Sequence, residues 1–314
     1  MTTTTPLTKD SRNAIGMPMI GFGTYQMSNE QAEASVLLAL KAGFRHIDSA
    51  QGYNNEEGTG RALAAFFSDD NNTREDVFVT TKLWPGYTGW GMPEQGYDDT
   101  IATCKKQLEQ LQLTYIDLYL IHSPTSSTRV EQWRAIVELQ KMGLVKHIGV
   151  SNYNKARLQE IEDAGLPMPQ VNEIEFHPLM QQPEMTQLMQ EKKIVPVAYS
   201  SLATMSSWRK EKGQGGDVKA DLKADAQAVQ AAIAKELEVP EAAVLLRWGM
   251  QRGYAVLTKS TNEDRIKSNL DVFGFELTEE HMNKMNALNK NEYLAWAANG
   301  MNPMEVEVPL AKKD

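Results

Sequence analysis

What most constrains this chain is an alternation that runs its whole length: eight apolar, β-like runs, each followed by helical period. The runs are "MIGFG" (19–23), the stretch ending "FRHID" (44–48), "DVFVTTKLW" (76–84), "YIDLYLIH" (115–122), "HIGVS" (147–151), "VNEIEF" (171–176), "IVPVAYS" (194–200) and "YAVLTKS" (254–260). Helical segments follow them, such as "TIATCKKQLEQL", "VEQWRAIVELQKMG", "NKARLQEIEDAG", "AQAVQAAIAKEL" and "NEDRIKSNL". The clearest is 28–43, with Ser28 and Gln31 spaced as a capping box and Gly43 as its stop. Strands that are apolar on both faces, joined by helical crossovers, predict a parallel sheet covered on both sides. No composition break marks a linker, and "MIGFGTY" begins a G-x-G but never completes G-x-G-x-x-G. A doubly wound dinucleotide-binding sheet therefore lacks its phosphate turn. The expected fold is α/β, a closed (β/α)8 TIM barrel forming a single domain over 1–314.

A net charge of −9 argues against nucleic acid or an acidic membrane as partner, although a small anion held by a few local cations stays open. The single cysteine, Cys104, permits no internal disulfide and lies in phase with Ile101, Leu108 and Leu111, as a core position would. "MTTTTPLTKD" has no apolar leader core, and no apolar run reaches membrane-spanning length, so the expectation is a soluble, cytoplasmic protein. No H-x-H or similar cluster suggests a metal.

Two stretches break the rhythm after strands: the aromatic Trp84 to Asp99, and the polar, glycine-bearing Ser200 to Lys223. Both fall at the C-terminal mouth, where barrels place their chemistry. The tail from about Tyr293, with Trp296, shows no period and is expected to fold over the same mouth as part of a substrate loop.

Residues at strand ends converge on that mouth, so they are read together. Asp48 and Tyr53 follow the second run, Lys82 the third, His122 the fourth, Ser151 and Asn152 the fifth, and Glu173 and Glu175 the sixth. Tyr199 ends the seventh, and Lys259 and Ser260 the eighth. Taken singly, Asp48 reads as a cap or loop anchor, Tyr53 as a loop aromatic, Lys82 as a surface lysine and His122 as a loop histidine. Together they make an acid–base set. A phenol ordinarily releases its proton near pH 10; a nearby ammonium lowers that value, and an aspartate keeps the ammonium charged. Such a phenol can protonate an oxygen becoming an alkoxide, with the histidine orienting that oxygen. His46, His147, His177 and His281 are assigned structural roles. "LTKSTNEDRIKSN" puts Lys259, Ser260 and Thr261 before a helix capped by Asn262 with Arg265 one turn inside, which reads either as a phosphate site or as an ordinary capped helix. Tyr199 could stack on a planar ring, or be core.

With these motifs the sequence resembles the aldo-keto reductases from about Leu7 to Asn269. "GFRHIDSAQGYNNE", "LTYIDLYLIHSP" and "LTKSTNEDRIKSN" resemble the family's three signatures, and "IGVSNY" and "VPVAYSSL" match further segments. The resemblance implies NADPH-dependent reduction of a small-molecule aldehyde or ketone, with Asp48, Tyr53, Lys82 and His122 as the tetrad. It sets Ser151, Asn152 and Glu173 at the nicotinamide carboxamide, with Tyr199 stacking on the ring. It sets Thr24 and Tyr25 near the ribose, and Ser200, Leu202, Lys259, Ser260, Thr261, Arg265 and Asn269 at the pyrophosphate and adenosine. Lys259 and Arg265 match 2′-phosphate contacts, favouring NADPH over NADH. Substrate falls among Tyr25, Trp84, His122 and Trp296. The protein is expected as a monomer or weak homodimer. Three departures stand out: Glu173 replaces the usual glutamine and can accept from the carboxamide but not donate; Ser123 replaces a tryptophan, opening the pocket; and Ser268 replaces an acidic residue near the adenine. A Schiff-base aldolase using Lys82 and a cofactor-binding regulatory scaffold are the competing functions.

Overall fold

A computed structural model describes residues 7–206, 220–295 and 302–311. Its order is β1 (Ile20–Gly23), α1 (Asn29–Ala42), β2 (His46–Asp48), α2 (Glu56–Phe67), β3 (Phe78–Leu83), α3 (Tyr97–Leu111), β4 (Ile116–Ile121), α4 (Arg129–Lys141) and β5 (Val145–Ser151). There follow α5 (Lys155–Asp163), β6 (Val171–Glu175), α6 (Pro183–Glu191), β7 (Val195–Tyr199), α7 (Ala220–Leu237), α8 (Glu241–Gln251), β8 (Ala255–Thr258), α9 (Glu263–Leu270) and α10 (Glu279–Asn286). The eight strands pair in sequence order, all parallel, and β8 closes on β1. This is the (β/α)8 fold, and each anticipated strand is present.

Strand residues sort by parity. Ile47, Val79, Tyr119, Ile121, Val150, Ile174, Ala198 and Val256 join the large apolar layer shared with the helices. Their alternates Leu118, Leu120, Val171, Val197, Ala255 and Leu257 form a smaller inner cluster, with Phe78 and Tyr199 packed against it. Because side chains alternate faces along a strand, Asp48, Lys82 and Glu173 share the inward parity, nearest the strands' C-terminal ends. Met17 belongs to the same inner cluster, and a short Arg12–Pro18 bridge holds it there before β1. This N-terminal plug is not anticipated from the sequence.

The capping box of α1 forms as expected: Gln31 N–H donates to Ser28 Oγ at 3.2 Å, Ser28 N–H donates to Gln31 Oε1 at 3.0 Å, and Gly43 ends the helix at φ +113°. Asn55 differs. It stands at the N-cap of α2 but makes no side-chain cap bond. Its amide instead donates to the carbonyls of Thr24 and Met27, at 2.8 and 3.0 Å, tying the β1–α1 loop to the mouth. A helix or helical pair is expected after each strand, but the sequence reading names no segment for α6, α8 or α10. Helix α8 is buried from Ala243 through Met250, so it shows no polar stripe to reveal it.

Candidate active site

The 84–99 stretch is a fastened loop. Gln132 Nε2 donates to the carbonyls of Pro85 and Gln95, both at 2.9 Å, and Glu94 accepts from the Ser127 N–H and hydroxyl at 3.0 and 2.6 Å. Within it Trp84 and Trp90 stack at 6.1 Å over the mouth. The tail is fastened too: Glu175 Oε1 accepts the main-chain N–H groups of Leu294 and Ala295, at 2.5 and 2.8 Å, and His177 Nε2 at 2.9 Å. Trp296 and 207–219, most of the second long loop, lie outside the described residues. Residues 200–206 are described, and of these Ser200, Ser201, Leu202, Ala203 and Ser206 line the cavity.

These segments enclose a cavity of about 670 Å³ at the strands' C-terminal ends. Of the acid–base set, Asp48, Tyr53 and His122 line it, and Lys82 lies beneath with no solvent exposure. Lys82 Nζ donates to Asp48 Oδ1 at 2.5 Å and to the Ser49 carbonyl at 3.1 Å, and meets Glu173 Oε1 at 3.4 Å. It stands 5.4 Å from the centre of the Tyr53 ring. The His122 ring packs edge-on against Tyr53 at 5.5 Å and against Trp84 at 5.6 Å. Tyr25, on the outer side, sits 5.0 Å from the Tyr53 ring.

Burial would lower Lys82, but Asp48, Glu173 and Tyr53 outweigh it and hold the ammonium well above its ordinary value. Burial, helped by Lys82, pushes His122 down to about 3, so its imidazole is neutral. Burial raises Tyr53; Lys82 pulls it down, while Asp48, Glu173 and Tyr25 raise it further. The net is above the ordinary phenol value, which corrects the sequence expectation. The ammonium acts in the anticipated direction, but loss of water around the phenol is the larger effect.

The remaining anticipated residues divide. Tyr25, Ser151, Asn152, Glu173, Tyr199, Ser200, Leu202, Lys259 and Trp84 line the cavity. Tyr199 Oη donates to Asn152 Oδ1 at 2.7 Å, and Asn152 Nδ2 donates to the His122 carbonyl at 3.1 Å, so three strand ends are cross-linked. Asn152 and Ser200 both have left-handed backbone, φ 62° and 56°, a conformation uncommon outside glycine. Thr24 is buried, its hydroxyl within 3.2 Å of Asp48 O, Ser49 Oγ and Asn55 Oδ1, and it is not on the cavity wall. Asn269 Nδ2 donates to Thr258 Oγ1 at 2.7 Å, bracing β8 against α9. Ser260, Thr261 and Arg265 lie beyond the wall, where Asn262 caps α9 by accepting from Arg265 N–H at 3.0 Å. Ser123 is buried and off the wall. His46, His177 and His281 bond Thr80, Glu175 and Glu236, and Cys104 is buried in the core.

Sequence reasoning missed Gln51, Trp90, Met92 and Ala295 on the wall. Trp90 and Met92 fall in the singled-out loop, but which of its side chains face inward depends on the 3-10 turn at Thr88–Trp90. The contact of Glu173 with Lys82 was also missed.

A closed barrel with a buried lysine–carboxylate cluster under a tyrosine and a histidine defines a class that most of the chain matches. It belongs to the aldo/keto reductase family, whose profile matches residues 14–290, and is thereby an oxidoreductase. It is 37% identical over 295 residues to the glyoxal reductase of Bacillus subtilis (strain 168), covering 94% of this chain and 95% of that one. It is 38% identical over 300 residues to aldo-keto reductase family 1 member C1 of Homo sapiens, covering 88% and 89%. Among solved structures it resembles a Bombyx mori aldo-keto reductase in complex with NADP, with TM-score 0.77 and 30% identity over 88% of this chain and 91% of that one.

Proposed function

We propose that this protein reduces aldehydes or ketones to alcohols with NADPH, Tyr53 giving the proton. The observation carrying this reading is that Tyr53 and His122 face one cavity directly above the Asp48–Lys82 pair. The cavity also fits the cofactor by the chemistry of its wall. Four buried polar atoms on residues of that wall have no hydrogen-bond partner among the described residues: Asp48 Oδ2, Glu173 Oε2, His122 Nδ1 and Trp84 Nε1. Ser151, Asn152 and Glu173 would hold the carboxamide and Tyr199 the ring face, with Lys259, Ser260 and Arg265 toward the phosphates. When bound, NADPH supplies the hydride that adds to the carbonyl carbon.

The chain's own residues do the rest. His122, neutral, orients the carbonyl oxygen by hydrogen bonding. The Tyr53 hydroxyl gives its proton to that oxygen as the carbon–hydrogen bond forms. The resulting phenolate is offset by Lys82, whose charge Asp48 maintains. A raised Tyr53 keeps its proton until an alkoxide, a far stronger base, draws it. Trp84 and Trp90 wall off water and favour apolar carbonyl substituents. Lys82 held as an ammonium also opposes the aldolase alternative, which needs a neutral amine.

A panel of aldehydes and ketones, followed by absorbance loss of NADPH and of NADH, tests the reading. Carbonyl-dependent loss, faster with NADPH, is expected. Tight NADPH binding with no loss for any carbonyl would instead support a regulatory scaffold.

A further inference from the structure

We propose that Glu173 holds a proton at neutral pH, and that its ionisation in alkaline solution weakens Tyr53 as a proton donor. The inference rests on the reductase reading above and concerns the same site. One ammonium, Lys82, faces two carboxyl groups, Asp48 at 2.5 Å and Glu173 at 3.4 Å, all three side chains at most 4% exposed. With all three ionised, the cluster would carry a net negative charge with almost no exposed surface to solvate it. Asp48 Oδ2 and Glu173 Oε2 are, moreover, both buried with no donor among the described residues. Two carboxyl groups sharing a dry site resolve this by keeping one proton between them.

Distance decides which one keeps it. Asp48 has the short contact with the ammonium and remains the anion; Glu173, farther off, takes the proton. The titratable or charged groups facing Glu173 are Asp48 from β2 and Lys82 from β3, with Tyr53 beyond them. From β5 come neutral Ser151 and Asn152, whose Oγ and N–H both donate to the Glu173 carbonyl, and from β7 its register partner Val197, with Tyr199 beyond on the cavity wall. Burial first, then Asp48, pushes the Glu173 carboxyl up to about 8 against the opposing pull of Lys82. A neutral carboxyl offers one donor and one acceptor, so Glu173 regains the donor that a carboxylate lacks. Once ionised, it adds negative charge that raises Tyr53 further and makes it a weaker acid.

The test compares wild type with Glu173→Gln between pH 6 and 9.5. An added charge a few ångströms from the phenol corresponds to roughly a tenfold change in proton-transfer rate. The ratio of variant to wild-type turnover should therefore rise by about that factor across pH 8. Two measurements without cofactor or substrate accompany it. Difference infrared spectra of wild type should show a protonated-carboxyl band lost over that range and missing in Glu173→Gln. A carboxyl raised by folding adds stability at low pH that disappears as pH climbs through its folded-state value. The Tm of the variant should therefore gain on wild type from pH 5 to 9. Parallel turnover profiles, a pH-independent Tm difference, or a wild type with no titrating carboxyl band would each overturn the proposal. The last needs no variant to fold. If wild type reduces no carbonyl at any pH, the reductase reading fails on its own, and the infrared and Tm data alone judge the proton on Glu173.

Discussion

Lys82 has no exposed surface, and what makes a buried ammonium tolerable is the pair of carboxyl groups around it. Removing one member of a buried ion pair leaves the other uncompensated, typically at a cost of about 3–5 kcal/mol. Lys82→Met should lose about that much at pH 8, where Asp48 is left a buried anion without its ammonium, and visibly less at pH 5, where it can take a proton. Urea denaturation at the two pH values measures this; equal losses would show that the carboxyl groups do not act through Lys82. Asp48→Asn should cost less than Lys82→Met, because Glu173 can release its proton and become the counterion.

At the scale of elements, the site depends on segments that are not strands. Glu175 takes the N–H groups of Leu294 and Ala295, and Ala295 lines the cavity. Glu175→Ala removes one acceptor from three donors, a loss of about 1–3 kcal/mol for hydrogen bonds left unmade. The variant should show faster proteolysis in the tail and a KM raised several-fold with a smaller change in kcat. A KM and cleavage rate equal to wild type would mean that the tail is held elsewhere, for example by Asn154 and Arg157 on the Met304 and Val306 carbonyls. The strands were legible because buried parallel strands are continuous apolar runs, and α1 because its cap and stop are local. Helix α6 was not, since Pro183 opens a nine-residue helix after Gln182 in left-handed backbone. Nor was the role of Asn55, whose amide bonds carbonyls about thirty residues away. Asp48, Tyr53, Lys82 and His122 could be found because a barrel turns strand ends into neighbours. The net rise of Tyr53 and the Lys82–Glu173 contact could not, since both depend on burial and distance.

For the molecule as a whole, two histidines held neutral shape its acid response. His46 and His122 are each held down to about 3, His46 chiefly by burial with Lys82 and Arg12 adding to it. The unfolded chain protonates them near pH 6.5, so the stability they contribute is present above that value and lost as pH falls toward 3. Between about pH 4.5, the ordinary value of a glutamate, and 6.5, Glu173 acts in the opposite sense. Below about 4.5 the histidine effect stands unopposed by Glu173. A Tm series should therefore drop steeply below pH 4.5; a flat profile from 4.5 to 3 would show that these imidazoles are not buried and neutral. Acid response and turnover both trace to one arrangement, a dry inner cluster of charge beneath a tyrosine. The most direct measurement is turnover of Tyr53→Phe alongside its NADPH affinity. The account predicts carbonyl reduction lost by about a thousandfold or more, as removal of a general acid entails, with NADPH affinity retained. Reduction at the wild-type rate with the phenol gone would contradict it.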